Sequence, residues 1–326
     1  AAAKRGVISV PFDPRQSVAT LRDAARVIAP SLVISDLRHE TLAAQAFSCP
    51  RIDLEEYRNW MGYSSRRPLE PVELSAESIH SIVFSSGAGG APHAVLVPYR
   101  QVLANARTTA MEWGLGPEDC TVQISACGQA GMHGLSLPLL AVGGRVVLPS
   151  RPEAEEVLRV SRSLEVTSWM GSAADFAAVV AHADFDSAPL DRLRHAWLIG
   201  PHEASDVGAC LAQRTIAVRP VHLCAEAGFN ALGASAEANP PPGAAGRALA
   251  HVDAQVRDPQ GAICEPGQRG ELTLAGEGLS AGYLDAAGIW SHACRDGYFR
   301  TGQSALCDAE GWFYLLDEAT GVAVPT

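Results

Sequence analysis

Short β-type runs alternate with amphipathic helical stretches through the first two-thirds of the chain. Gly6 to Val10 reads as a strand stopped by Pro11, and Ser17 opens a helix through Ile28 with Leu21, Ala24, Ala25 and Ile28 on one face. Leu32 to Ser35 is the next strand and Arg38 to Ala46 the next helix. After a polar, proline-punctuated stretch from Arg66 to Glu77, strands are predicted at 81–85 and 94–97 and a helix at 99–113. Strands at 145–148, 166–170 and 196–199 then alternate with helices at 153–164, 173–182 and 203–214. Such alternation implies an α/β fold of mostly parallel sheets flanked by helices.

The pattern changes near Ala238. The run NPPPGAAG (Asn239 to Gly246) reads as a rigid joint, and short alternating strands with turn dipeptides follow it. The last third is therefore expected to be a smaller β-rich subdomain, a distorted barrel. The predicted organisation is a partial α/β subdomain at 1–78, a second α/β subdomain at 79–237 and the β-rich part at 238–326.

Composition narrows the function classes. The 326 residues are 47% hydrophobic and 19% charged, which excludes a disordered chain. No apolar run approaches the ~18 residues of a membrane span, and the opening AAAKRGVISV is too short and too soon charged for a signal peptide. A net charge of −11 with no basic face argues against nucleic acid as a partner. The eight cysteines are scattered without a C-x-x-C pair, which reads as reduced thiols in the cytoplasm. Lys4 is the only lysine, so no mechanism that needs a lysine farther along the chain is available.

The sharpest local feature is FSSGAGGAPHAV, Phe84 to Val95. A loop of small residues after a buried strand can turn backbone N–H groups and hydroxyls into an anion nest, or it can be a tight turn and nothing more. It is not a Walker loop, because G-x-x-x-x-G-K-[ST] is absent.

Other segments give this loop a context. SSGAGGAPHAV with QVLANA resembles the phosphate loop T-S-G-T-T-G-x-P-K-G-V, and its following helix, of the adenylate-forming superfamily. That superfamily comprises acyl-CoA synthetases, peptide-synthetase adenylation domains and luciferases. In the same order, PLLAVGGRVVL, LRHAWLIGPHEA and HLCAEAG are similar to later motifs of the family. GQRGELTLAGEGLSAGYLD and DGYFRTGQSALCDAEGWFY are its most specific matches. The resemblance covers nearly the whole chain and implies the family's large N-terminal domain. No counterpart of the small C-terminal domain, which supplies a second lysine, is read in these residues.

The resemblance also implies site positions, and many of them are replaced. Ser85, Ser86, Gly87, Gly89, Gly90 and His93 fall on the phosphate loop, with His93 where the family has lysine and Ala88 and Gly89 where it has threonines. Neutral histidine is shorter than lysine and lacks its permanent charge; His93 is either a phosphate ligand in its charged form or a surface-loop histidine. Gly200 remains at the adenine-side turn, followed by Pro201 and Glu203. His222 stands for the adenine-contacting tyrosine, and Ala225 for the α-phosphate threonine. Glu226 sits at the magnesium-binding glutamate; in what reads as a helix-start sequence it is either a metal ligand or only a cap or surface acid. Gln303 replaces the ribose-binding aspartate, and a neutral amide lacks the charge-assisted acceptors of a carboxylate. The hinge motif would fall at 317–324, where DEATGVAV has lost its Arg, Asp pair and Lys. An acid-binding pocket is implied between Gly131, Met132 and His133, the Gly200 turn, and Ala227 and Gly228.

ATP and Mg²⁺ are the cofactors the resemblance implies, against contacts that are largely gone. A positioned transition-state donor is typically worth ~3–4 kcal/mol, so these replacements together argue against efficient adenylation. The expected function is a degenerate adenylation-type domain that acts as a scaffold or as an acyl- or aryl-ligand module with a synthetase or carrier-protein partner. The alternative is an AMP-forming carboxylic acid ligase completed by another domain or subunit.

Overall fold

A computed structural model describes residues 3–56, 59, 70, 72–85, 93–124, 132–149, 153–200, 206–285, 288, 290–291 and 294–316. The chain forms two compact units, Ala1–Tyr99 with Ala281–His292, and Arg100–Ser280 with Ala293–Thr326.

The first unit holds two small sheets. Helix α1 (Val18–Ile28) starts where the sequence predicts, because the Ser17 side chain accepts a hydrogen bond from the Thr20 amide. Strands β1 (Val33–Ser35) and β2 (Arg51–Asp53) pair in parallel, and α1 packs with α2 (Glu40–Ala46) through Leu21, Ala43, Ala46 and Phe47. The predicted strand at Gly6 to Val10 is reduced to a single bridge between Ser9 and Ser81. Pro11 and the bonding of only one edge leave no ladder to extend.

Strands β3 (Ile79–Ser85) and β4 (His93–Pro98) form an antiparallel hairpin rather than members of a parallel sheet. They are joined by β14 (Tyr283–Leu284) and β15 (Trp290–Ser291) in the order β15-β14-β4-β3. Ile82, Phe84, Ala94 and Leu96 bury this sheet against Ala24 of α1.

The second unit opens with α3 (Tyr99–Glu112) and is built on a seven-stranded sheet. Its strands are β5 (Cys120–Gln123), β6 (Arg145–Val147), β7 (Ser168–Ser172), β8 (His195–Ile199), β9 (Ala217–Cys224), β10 (Phe229–Gly233) and β11 (Arg247–Ala248). Their order is β11-β10-β9-β8-β7-β5-β6. The pairs from β6 to β9 are parallel; β9–β10 and β10–β11 are antiparallel. Ala196 and Leu198 enter a core with Val157 and Leu158 of α5 (Ala154–Ser163), Phe176 and Val179 of α6 (Ala173–Val180), and Leu211 of α7 (Asp206–Gln213). Trp197 and Ile199 alternate into a separate core with Trp113, Leu135 and Met170. The Trp113 and Trp197 rings stack 4.0 Å apart.

Between β5 and β6 a π-helical turn at Met132–Ser136 runs into the short α4 (Leu137–Ala141). Beyond Ala238 the β-rich expectation is met by β12 (Asp253–Arg257), β13 (Gly270–Ala275), β16 (Cys294–Arg295), β17 (Tyr298–Cys307) and β18 (Phe313–Leu315). They make a curled antiparallel sheet in the manner of a half-barrel. Among the described residues no helix is long and apolar enough to cross a membrane.

Candidate functional site

Parallel strands present ligand-binding positions beyond their carboxyl ends. In the second unit, β8 ends at Gly200, whose amide donates to the Val221 carbonyl at 2.9 Å with φ at +120°. Beside it β9 ends at Cys224 and reverses directly into β10, so residues 225–228 form the tip of a hairpin. Glu226 therefore sits on a hairpin turn and not at a helix start, which corrects the sequence expectation. Gly228 at φ +95° and Phe229 at φ +61° are both left-handed where the chain reverses into β10, and glycine adopts that conformation at no steric cost.

The turn is buried. Ala225 and Ala227 are shielded and Glu226 is 8% exposed. The Cys224 thiol donates to Glu226 Oε2 at 3.6 Å; burial first, and then the Glu226 charge, push that thiol well above its ordinary pKa. His251 Nε2 lies 3.1 Å from the Gly228 carbonyl oxygen, and a Cβ on residue 228 would stand 2.6 Å from that nitrogen. His251 is itself held below the usual histidine pKa by burial.

His222 lies on β9 with the Gln303 side chain of β17 beside its ring. Burial lowers its pKa to about 4 against the partial opposing effect of Gln303, so the ring is neutral at physiological pH. Its Nε2 is buried with no hydrogen-bond partner among the described residues. Two positions that the sequence assigns to separate parts of a nucleotide are thus neighbours.

The expected acid-pocket residues are also packed. Met132 is half-buried, and His133 stacks on Phe229 with ring centroids 4.3 Å apart. The carbonyl of His133 accepts from Asn105 Nδ2 at 2.8 Å, and that of Gly134 accepts from Asn230 Nδ2. Asn230 Nδ2 also donates to Thr109 Oγ1 at 2.8 Å.

In the first unit, Ser85 and His93 are cross-strand partners at the end of the β3–β4 hairpin where β3 finishes and β4 begins. Ser85 Oγ is buried without a partner among the described residues, while His93 is exposed with its ring 5.0 Å from that of Tyr283. Ser86, Gly87, Gly89, Gly90 and Gly131 lie outside the described residues, as do Pro201, Glu203 and the hinge segment at 317–324.

Sequence reading missed Gln101, Asn105, Asn230 and His251, whose side chains bond to main chain or to one another around this turn. One signal was available. Gln101, Asn105 and Thr109 recur at i, i+4 and i+8 on α3, a polar stripe that is ordinarily taken for a solvated face.

The donor set fits the implied cofactors unequally. A buried carboxylate on a fixed turn suits Mg²⁺, a hard cation that takes oxygen ligands. Gln303, a neutral amide, does not offer the charged acceptor a ribose diol would meet. Among the described residues no group of three His, Cys, Asp or Glu side chains is placed to hold a metal by itself.

A family model described as AMP-binding enzyme matches residues 1–284. Over 324 residues the chain is 26% identical to a feruloyl-CoA synthase of an Amycolatopsis species, covering 97% of this chain and 64% of that protein. It is 27% identical over 277 residues to 2-succinylbenzoate–CoA ligase of Bacillus licheniformis, covering 84% of this chain and 56% of that one. The chain thus spans less than two thirds of the length of these relatives. Among solved structures, an anthranilate CoA ligase in complex with anthranoyl-AMP shares the fold at a TM-score of 0.87 and 18% identity, covering 99% of this chain and 66% of its own.

Proposed function

The chain belongs to the AMP-binding enzyme family, and we propose that its site has shifted from catalysis toward binding. On this reading it is a degenerate adenylation-type domain and, alone, a poor catalyst of acid adenylation. It holds an acyl or aryl ligand, or serves as a scaffold, within an acyl- or peptide-synthetase assembly for natural products. Its partners are an acyl or aryl acid and a synthetase or carrier protein in the cytoplasm, with no nucleic acid and no membrane.

The observation that supports this most is the uncharged pair of side chains, His222 and Gln303, at the implied adenine and ribose positions. Adenylation gathers negative charge at the α-phosphate, and catalysis comes from fixed charge and donors aimed there. A neutral imidazole beside a neutral amide supplies no fixed charge. Ala225, on the adjoining turn, has no hydroxyl to offer.

A second reading is favoured by Glu226 alone: an AMP-forming acid ligase completed by another domain or subunit. On this reading the Glu226 carboxylate would hold Mg²⁺, His93 would stand for the loop lysine and Gln303 would bind the ribose. Bound Mg²⁺ would neutralise phosphate charge. Calorimetric titration with Mg·ATP, then with a non-hydrolysable acyl-adenylate mimic, separates the two. Micromolar affinity for Mg·ATP favours the ligase, and heat from the mimic alone favours the binding module.

A further inference from the structure

The hairpin turn that carries Glu226 is tied down carbonyl by carbonyl. The Cys224 oxygen accepts from the Ala227 amide at 3.2 Å, and the Glu226 oxygen accepts from the Ser280 amide at 2.8 Å. The Gly228 oxygen meets His251 Nε2. Ala227 forms an isolated bridge with Leu279. One carbonyl in this set, that of Ala225, is held by a side chain from far along the chain: Gln101 Nε2 donates to it at 2.6 Å across 124 residues.

Gln101 is unusual in its setting. It lies in the first turns of α3 with 0% exposure, while Leu103 and Met111 of the same helix are 64% and 69% exposed. The helix therefore turns part of its polar face inward. A buried primary amide costs stability unless its hydrogen-bonding capacity is met, and Gln101 Oε1 has no partner among the described residues. An apolar side chain of similar volume would fill the space without that cost, so packing does not account for a glutamine here. Its neighbour Arg100 acts in the same direction, with Nη1 donating to the carbonyls of Glu277 (2.9 Å) and Leu279 on a second turn that borders the first.

We propose that Gln101 is a positioning residue that fixes the Ala225–Glu226 peptide plane and, through it, the direction of the Glu226 carboxylate. The Ala225 carbonyl is shielded from water, so without Gln101 Nε2 it is a buried acceptor with no donor. Rotation of the 225–226 peptide plane toward another donor changes ψ of Ala225 and φ of Glu226 together. That rotation swings the Cα–Cβ bond of Glu226 and strains the Ser280 bond to its carbonyl. The functional consequence rests on the reading of Glu226 as a cation ligand; the structural claim does not.

Two variants of the full chain test this. Gln101→Met keeps the volume and removes the donor. Gln101→Glu places a carboxyl that donates to the Ala225 oxygen only when protonated, which burial favours by raising its pKa. Hydrogen exchange at the Ser280 amide reads the turn, and water-proton relaxation with Mn²⁺·ATP reads weak cation binding. In Gln101→Met, Ser280 exchanges about tenfold faster, the effect of one lost hydrogen bond, and Mn²⁺·ATP binds more weakly. In Gln101→Glu both effects shrink as the pH is lowered toward the titration of the new carboxyl, which a purely volumetric role would not produce. Unchanged Ser280 exchange in folded Gln101→Met overturns the proposal, as does a Gln101→Glu phenotype without pH dependence. Faster exchange with unaltered Mn²⁺·ATP binding leaves Gln101 as the holder of the turn and removes Glu226 from cation binding.

Discussion

The Gln303 side chain on β17 of the half-barrel lies beside the buried ring of His222 on β9 of the large sheet. Gln303 favours the protonated ring only in part, and burial keeps the imidazole neutral with a pKa of about 4. Gln303→Asp puts a carboxylate against that ring. The expected result is an upward move of the His222 titration, since an opposite charge within hydrogen-bond reach favours the charged form. Histidine resonances followed through a pH series by NMR check it; an unmoved His222 titration would show that the two side chains do not meet in solution.

Stability should depend on pH in a defined window. His222 and His195 each have a folded-state pKa of about 4, against 6.5 for the ordinary group; His195 is held down by burial first and then by the Arg219 and Arg194 charges. Between these values the unfolded chain binds protons that the folded chain does not, so stability falls as pH drops from 6.5 toward 4. Below 4 these two rings add no further slope. The carboxylates of Asp13, lowered chiefly by its hydrogen bond to Arg15, and of Asp36, lowered by His39 and Arg38 against burial, lose their stabilisation only under more acid conditions. Urea midpoints at a series of pH values read this, and replacing His222 and His195 together by Phe should reduce the slope between 6.5 and 4, leaving the part that His251 and His80, also lowered by burial, contribute.

Gly228→Ala should be severely destabilising. The residue has φ of +95°, and a Cβ would approach His251 Nε2 to 2.6 Å and Cδ2 to 2.8 Å. Backbone strain of this type costs about 1–3 kcal/mol before the steric clash is added. A second substitution, His251→Ala, should recover the steric part and leave the strain. Chemical denaturation of the single and double variants measures both parts, and full recovery in the double variant would refute a backbone contribution.

The π-helical turn depends on side-chain donors. Its His133 and Gly134 carbonyls accept from Asn105 and Asn230, and the Asn230 amide reaches Asn105 Oδ1 at 3.3 Å. Asn230→Leu leaves several buried groups unpaired at once, at roughly 1–3 kcal/mol for each. Its effect and that of Asn105→Leu should be markedly non-additive in a double-mutant cycle of unfolding free energies. Additive losses would mean the two asparagines act independently.

Much of this architecture is legible in the sequence where local chemistry and hydrophobic period agree. Ser17 caps α1 as its hydroxyl predicts, and strands β6, β7 and β8 of the large sheet fall within a few residues of their apolar runs. Where tertiary contacts decide, the reading fails. Strand β5 is a four-residue run, CTVQ, buried at every position, so it has neither the length nor the alternation that marks a strand. The segment around Glu226 looks like a helix start because it is small and polar, yet β9 runs straight into the turn and pairs back on itself through β10. Gln101 and His251 act on backbone atoms 124 and 23 residues away, a relationship no local pattern records. The phosphate-loop positions from Ser86 to Gly90 fall outside the described residues, so sequence remains the sole source for them.

The central claim, that internal replacements weaken this site, has a direct test. Calorimetric titration with Mg·ATP compares the natural chain with a variant carrying His93→Lys, Ala225→Thr and Gln303→Asp. Three restored charge-assisted or hydroxyl contacts, each worth about 1.5–3 kcal/mol where an ion is involved, should tighten binding by about a hundredfold or more, from no better than millimolar in the natural chain. Micromolar binding by the natural chain, with no gain in the restored variant, would contradict the account and point to a working adenylation site.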